Sequence, residues 1–83
     1  MSNEKLNFYL SKIEQQYPNK LVLNQGQMLN CINKSRATFS RIIEKNNLHL
    51  LPEFTEMKYK RNSSPYTTYE FKIIDIAKFL AKE

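Results

Sequence analysis

The sequence predicts a small, mainly helical α+β fold, and three observations lead there. Four segments carry apolar residues at helical spacing, and one stretch, residues 54–71, switches to a period of two. The 83 residues hold apolar material for a single core, so residues 1–83 are read as one domain.

The first helix is predicted over residues 1–18. Leu6, Leu10, Ile13 and Tyr17 follow one stripe, Ser2 or Asn3 offers a cap, and Pro18 with Asn19 stops it. Phe8 falls about 200° from Leu6 around the helix and is expected on the outside. Leu21 to Leu23 is consistent with a small strand or a buried approach to the next helix. Asn24 and Gln27 then stand at capping-box spacing, opening a second, two-turn helix with Met28, Leu29 and Ile32 inward.

Asn33 and Lys34 make a tight break, and asparagine tolerates the left-handed conformation that such a break needs. Ser35 caps a third helix that is expected to reach about Asn46. On it Phe39, Ile42 and Ile43 share one narrow arc, while Ala37, Ser40, Arg41 and Lys45 point broadly the other way. The apolar triplet should pack this helix onto the domain and leave small, hydroxyl and cationic groups outward.

In residues 54–71 Met57 and Tyr59 alternate with Glu56, Lys58 and Lys60, and Tyr69 and Phe71 alternate with Thr68 and Glu70. The turn formers "RNSSP" between them make this a β-hairpin with a basic tip, Lys58-Tyr59-Lys60-Arg61. Tyr59 shares parity with Met57 and is assigned mostly to the core, with stacking on a sugar or base as the alternative. Residues 72–82 close the chain as a helix with Ile73, Ile76, Ala77 and Leu80 inward and Asp75, Lys78 and Lys82 outside.

The net charge of +5 is unevenly spread. Residues 34–61 hold seven cations (Lys34, Arg36, Arg41, Lys45, Lys58, Lys60, Arg61) and three anions, whereas the first 33 residues come to +1 and the last 22 to zero. That asymmetry fits a footprint on a polyanion. Cys31 is the only cysteine and His49 the only histidine, so no thiolate set or metal site is expected and no cofactor is implied. No Ser/His/Asp arrangement stands out, the single Gly26 makes no phosphate-cradling loop, and the reading is of a protein that is not an enzyme. No apolar run approaches the roughly 20 residues of a membrane span, nor does the start look like a secretory leader, so a cytoplasmic protein without membrane contact is expected.

Two short helices joined by a tight turn form a helix-turn-helix over residues 24–46, and a hairpin directly behind them forms a wing. The segment "NKSRATFSRIIEKNNLHLLPEF", the basic hairpin and "YEFKIIDIAKFL" resemble the small winged helix-turn-helix proteins of the excisionase and AlpA type, relatives of the MerR DNA-binding domain. The matching stretches are Ser35 to Thr38, Leu51-Pro52-Glu53-Phe54, and Asp75 to Leu80, within a likeness covering roughly residues 21–82. Asn33 and Lys34 replace the family's usual glycine and apolar residue, which predicts a looser turn. The N-terminal helix is an addition to the pattern.

The resemblance implies binding to a specific double-stranded DNA site near a mobile element or promoter. The protein would act there as a recombination directionality factor or a small transcriptional regulator, with an integrase or RNA polymerase as partner and a homodimer or cooperative array on the DNA. The positions matching the recognition helix are Arg36, Ala37, Thr38, Ser40 and Arg41, with Lys45 toward the backbone. Arg36 and Arg41 suit guanine edges, and Lys34 and Ser35 suit a phosphate. Lys58, Lys60, Arg61, Asn62 and Ser63 would hold the wing to phosphate or minor groove.

Blander readings stand beside these. Arg36 and Arg41 also fit as solvated surface residues, Arg41 with Glu44 three residues on, and Lys58 and Lys60 also fit as guards of an exposed strand edge. Two other classes are a winged helix used for protein contacts through Phe8 and the N-terminal helix, and single-strand or RNA binding through Tyr59, Tyr66 and Tyr69. The last ranks lowest because alternation turns at least Tyr69 inward.

Overall fold

The computed structural model of the chain describes residues 3–82. Within them, four α-helices and a three-stranded antiparallel sheet form a mainly helical α+β fold. The cap expected at Ser2, like the side chain of Asn3, lies outside the described residues.

Helix α1 (Asn3–Gln16) buries Ile13 and half-buries Leu6 and Leu10, and Tyr17, one residue past its end, is half-buried on the same predicted stripe. It packs chiefly on α4 (Ile73–Lys82), whose Ile73, Ile76, Ala77 and Ala81 are buried. Leu80, expected inward, is half-buried, and Asp75, expected outside, is half-buried as well. Strand β1 (Val22–Leu23) follows, and its Leu23 is both strand and core.

Helix α2 (Gln25–Ile32) starts on a complete capping box. Asn24 Oδ1 accepts from the Gln27 amide at 2.8 Å, and Gln27 Oε1 accepts from the Asn24 amide at 3.1 Å. Helix α3 (Arg36–Glu44) starts on Ser35, whose Oγ accepts from the Thr38 amide at 3.1 Å. It ends two residues before the expected Asn46. Asn46 is instead a left-handed stop with φ of 57°, and the Asn46 and Asn47 amides return to the carbonyls of Ile43 and Ile42. The turn between α2 and α3 is tight, not loose: Asn33 has φ of 59°, and the Asn33 and Lys34 amides both donate to the Leu29 carbonyl. Asn19 stops α1 in the same conformation, so asparagine does at three helix ends what glycine usually does.

After a 3₁₀ turn (Leu48–Leu50), β2 (Thr55–Arg61) and β3 (Ser64–Lys72) form the hairpin. Its turn is two residues, not five: Asn62 and Ser63 both have positive φ, 50° and 68°, the conformation whose twist matches that of paired strands. The strand order is β1-β3-β2, with Leu23 opposite Phe71. Because β1 covers β3 only at its end, Pro65 costs the central strand no ladder bond on that side.

The core closes around an aromatic cluster. Phe71 is fully buried, its ring centroid 6.4 Å from that of Phe39 and 5.4 Å from that of Phe54. Tyr69 stands edge-on to Phe39 at 5.2 Å and to Phe54 at 5.5 Å. Phe39 thus pins α3 to β3. The radius of gyration, 13.8 Å, exceeds the value of about 12 Å for a compact chain of this length, because the hairpin extends beyond the packed body.

Candidate nucleic-acid interface

The two-residue turn fixes which side chains share a face of the hairpin. Directly opposite residues in an antiparallel pair point to the same side, and the register pairs Glu56 with Tyr69, Lys58 with Thr67 and Lys60 with Pro65. The face that carries Tyr69 and Phe71 against Phe39 at its base therefore carries Lys58 and Lys60 toward its tip. Pro65 stands four positions from Tyr69, about 14 Å of strand, so this row of cations reaches well past the body.

The opposite face carries Met57, Tyr59 and Arg61 beside Thr68, Tyr66 and Ser64. This corrects the assignment of Tyr59 to the core. Tyr59 is 43% exposed and lies across from Tyr66, not on the side of Tyr69. A five-residue turn leaves the parity between the strands open, whereas the observed two-residue turn sets it.

On α3, Phe39 and Ile42 are buried and Ile43 is half-buried, as the triplet predicts. Ala37, Ser40 and Arg41 are exposed, and so are Lys34, Ser35, Arg36 and, at the C-cap, Lys45. Among the described residues Arg41 makes no ion pair with Glu44, so its guanidinium is not tied down by that neighbour. Thr38 is half-buried, and its Oγ1 shares a 3.0 Å hydrogen bond with Ser35 Oγ. The Thr38 hydroxyl thus belongs to the helix start more than to the outward face.

The two arginines differ in placement. Arg41 lies about 160° from Phe39 around the helix, whereas Arg36 lies only about 60° away, in the same angular sector as Ile43 two turns on. From that flank it reaches back over α2, where its Nη2 lies 3.2 Å from the point that a Cβ on Gly26 would occupy. Gly26 leaves room for the guanidinium, a contact that motif spacing misses and that the wheel angle of Arg36 alone foreshadows.

Lys58, Lys60, Arg61, Asn62 and Ser63 are all exposed, and no carboxylate lies between Met57 and Tyr69. A groove of about 660 Å³ runs between α3, the 3₁₀ turn and α4. It is lined by Thr38, Leu48, Leu50 and Phe79, with Lys34 and Lys82 also on its walls. Its walls come from segments far apart in sequence, so no local pattern announces it. Among the described residues no helix is long and apolar enough to cross a membrane. No family model, no curated protein and no solved structure matches the chain.

Proposed function

We propose that the chain is a winged helix-turn-helix protein that binds a specific double-stranded DNA sequence, with α3 in the major groove and the β2–β3 hairpin as the wing along the backbone. One observation carries the reading: Phe39 fastens α3 to the hairpin face on which Lys58 and Lys60 extend outward. A cylinder with Ser40 and Arg41 outward and a cationic arm fixed beside it match a groove about 12 Å wide and the phosphates flanking it. The tight three-residue connection between α2 and α3 supports the same reading, as does the excess of cations in residues 34–61.

In this reading Arg41 reads a base edge, and Arg36 leaves its resting place on α2 to do the same or to hold a phosphate at the α2–α3 junction. Lys34, Ser35 and Lys45 flank the groove, and Lys58, Lys60, Arg61, Asn62 and Ser63 hold the wing. The resemblance to excisionase and AlpA-type proteins makes a recombination directionality factor or a small regulator of a mobile element the biological form of the activity.

Selection from a random duplex pool, followed by a salt series on the winning sequence, tests this. One enriched motif is expected, bound over about a thousandfold more tightly than random duplex. Arg41→Ala should cost about 1–3 kcal/mol and relax one position of the motif, whereas Lys60→Ala should weaken all sequences alike and lower the salt slope by about one. Affinity that falls alike for every duplex, with no motif, would refute sequence reading and leave protein contacts as the function of the fold.

A further inference from the structure

Of the strand cations given to the duplex above, Lys58 and Lys60 share one face of the hairpin and Arg61 lies on the other. The other face carries Tyr59 and Tyr66, cross-strand partners whose rings stack with centroids 5.2 Å apart and planes at 21°. They are 43% and 44% exposed, although aromatic rings are among the side chains that gain most from burial. Arg61 and Ser64 follow on the same face toward the tip, and Met57 and Thr68 toward the base. Lys58 and Lys60 stand on the two strand positions between these residues, and the nearest carboxylates in sequence are Glu56 and Glu70, on the body side of the pair.

A flat aromatic surface at the end of a projecting arm, with cations around it and no acid beyond it, has the chemistry that an unpaired nucleotide needs. Its base stacks on a ring and its phosphate meets a cation. Bases inside a duplex are already stacked on each other and closed to a tyrosine ring. We infer that the Tyr59–Tyr66 face of the hairpin binds an unpaired nucleic-acid strand. A base stacks on the tyrosine pair, Arg61 meets its phosphate, and the strand rounds the Asn62-Ser63 turn from the side of Lys58 and Lys60. This rests on the duplex reading for the side from which the strand arrives, and it names the preferred ligand as a duplex that ends in, or opens into, a single strand.

The test uses the full chain and four probes in fluorescence anisotropy at one salt concentration: a blunt duplex, the same duplex with an oligothymidine tail, the same duplex with an abasic tail, and oligothymidine alone. The thymidine tail should tighten binding about tenfold over the blunt duplex, within the range of one stacked base, and the abasic tail, with the same phosphates, should not. Tyr59→Ala and Tyr66→Ala should remove that gain and leave blunt-duplex affinity as it was. Tyr59→Phe and Tyr66→Phe keep the rings and should keep the gain, which separates stacking from damage to the hairpin. Equal binding of thymidine and abasic tails by the unaltered protein would overturn the inference, as would a gain that survives in both alanine variants. Tyrosine-dependent binding of oligothymidine without any binding of blunt duplex would refute the duplex reading and leave the stacking site standing.

Discussion

Gly26→Ala tests how α2 and α3 meet. Gly26 is the second residue of α2, and its φ is not positive, so alanine fits the backbone there. Replacing glycine at a compatible position stabilises by about 0.4–1 kcal/mol, mainly by restricting the unfolded chain. Against this stands one close approach. The new Cβ would lie 3.2 Å from Arg36 Nη2, while its 3.6 Å distance to Asn24 Oδ1 is an ordinary contact that leaves the capping box alone. The guanidinium sits at the end of a flexible, exposed side chain and needs to move a few tenths of an ångström, at a cost well below the gain. The net expectation is a rise of about 0.5 kcal/mol, or about 2–4 °C in Tm for a domain of this size. Urea unfolding with an unchanged m-value is the assay. A loss of about 0.5 kcal/mol or more would refute the reasoning, because it would mean that the guanidinium is held against α2 and cannot give way. A double-mutant cycle with Arg36→Ala would then locate the loss in that contact.

Three further perturbations read other parts of the structure. Ser35→Ala should cost about 1 kcal/mol by removing the acceptor for the Thr38 amide, and Ser35→Asp should restore most of it; equal urea midpoints for all three proteins would show that the cap does not hold α3. Thr68 Oγ1 is buried without a hydrogen-bond partner, so Thr68→Val, of the same shape, should be neutral or stabilise by about 1 kcal/mol, and a clear loss in thermal unfolding would mean that the hydroxyl has a partner after all. Burial pushes the Cys31 thiol up, so the native protein keeps that proton where the unfolded chain loses it. The Cys31 contribution to stability should be complete below about pH 8.5 and decline as pH rises through the native value; urea midpoints that fall identically in Cys31→Ala would refute this.

How far the sequence reaches can be traced through particular residues. The caps at Asn24 and Ser35 follow from one side chain and an amide three residues on, a local relation that spacing alone specifies. The packing of Phe39 and Ile42 follows from the helical period in the same way. Tyr59 fails this kind of reading because its face depends on a relation between strands. Each strand shows its own alternation, but only the length of the turn says how the two alternations combine, and the five turn-forming residues hide a two-residue turn. Arg36 lies between these cases: its angle on the Ile43 side of the helix is plain on a wheel, yet its contact depends on α2 passing on that side with a glycine in place. The groove beside α4 joins Thr38, Leu48 and Phe79, which no periodicity relates.

The two elements proposed to meet nucleic acid are held in different ways, and that difference bears on what each can do. Helix α3 is fixed by a cap at its start, a pair of reversed hydrogen bonds at its end, and Phe39 inside the aromatic cluster. A helix so constrained holds the backbone of Ser40 and Arg41 in one geometry, so the ordering cost left on binding is that of the side chains. Beyond Met57 and Thr68 the hairpin has its ladder, its turn, the stacked tyrosines and a bond from the Tyr59 hydroxyl back to Met57 Sδ, with every residue from Lys58 to Thr67 exposed. Segments with few buried contacts open at low free energy, so the tip can follow a backbone whose path varies while its base stays fastened to β3. Under the proposed function, register is then the task of the helix and accommodation that of the arm. If α3 reads the duplex as proposed, a fixed helix joined to a compliant, cationic and aromatic arm suits a site where a duplex gives way to a distorted or opened strand better than it suits a uniform double helix.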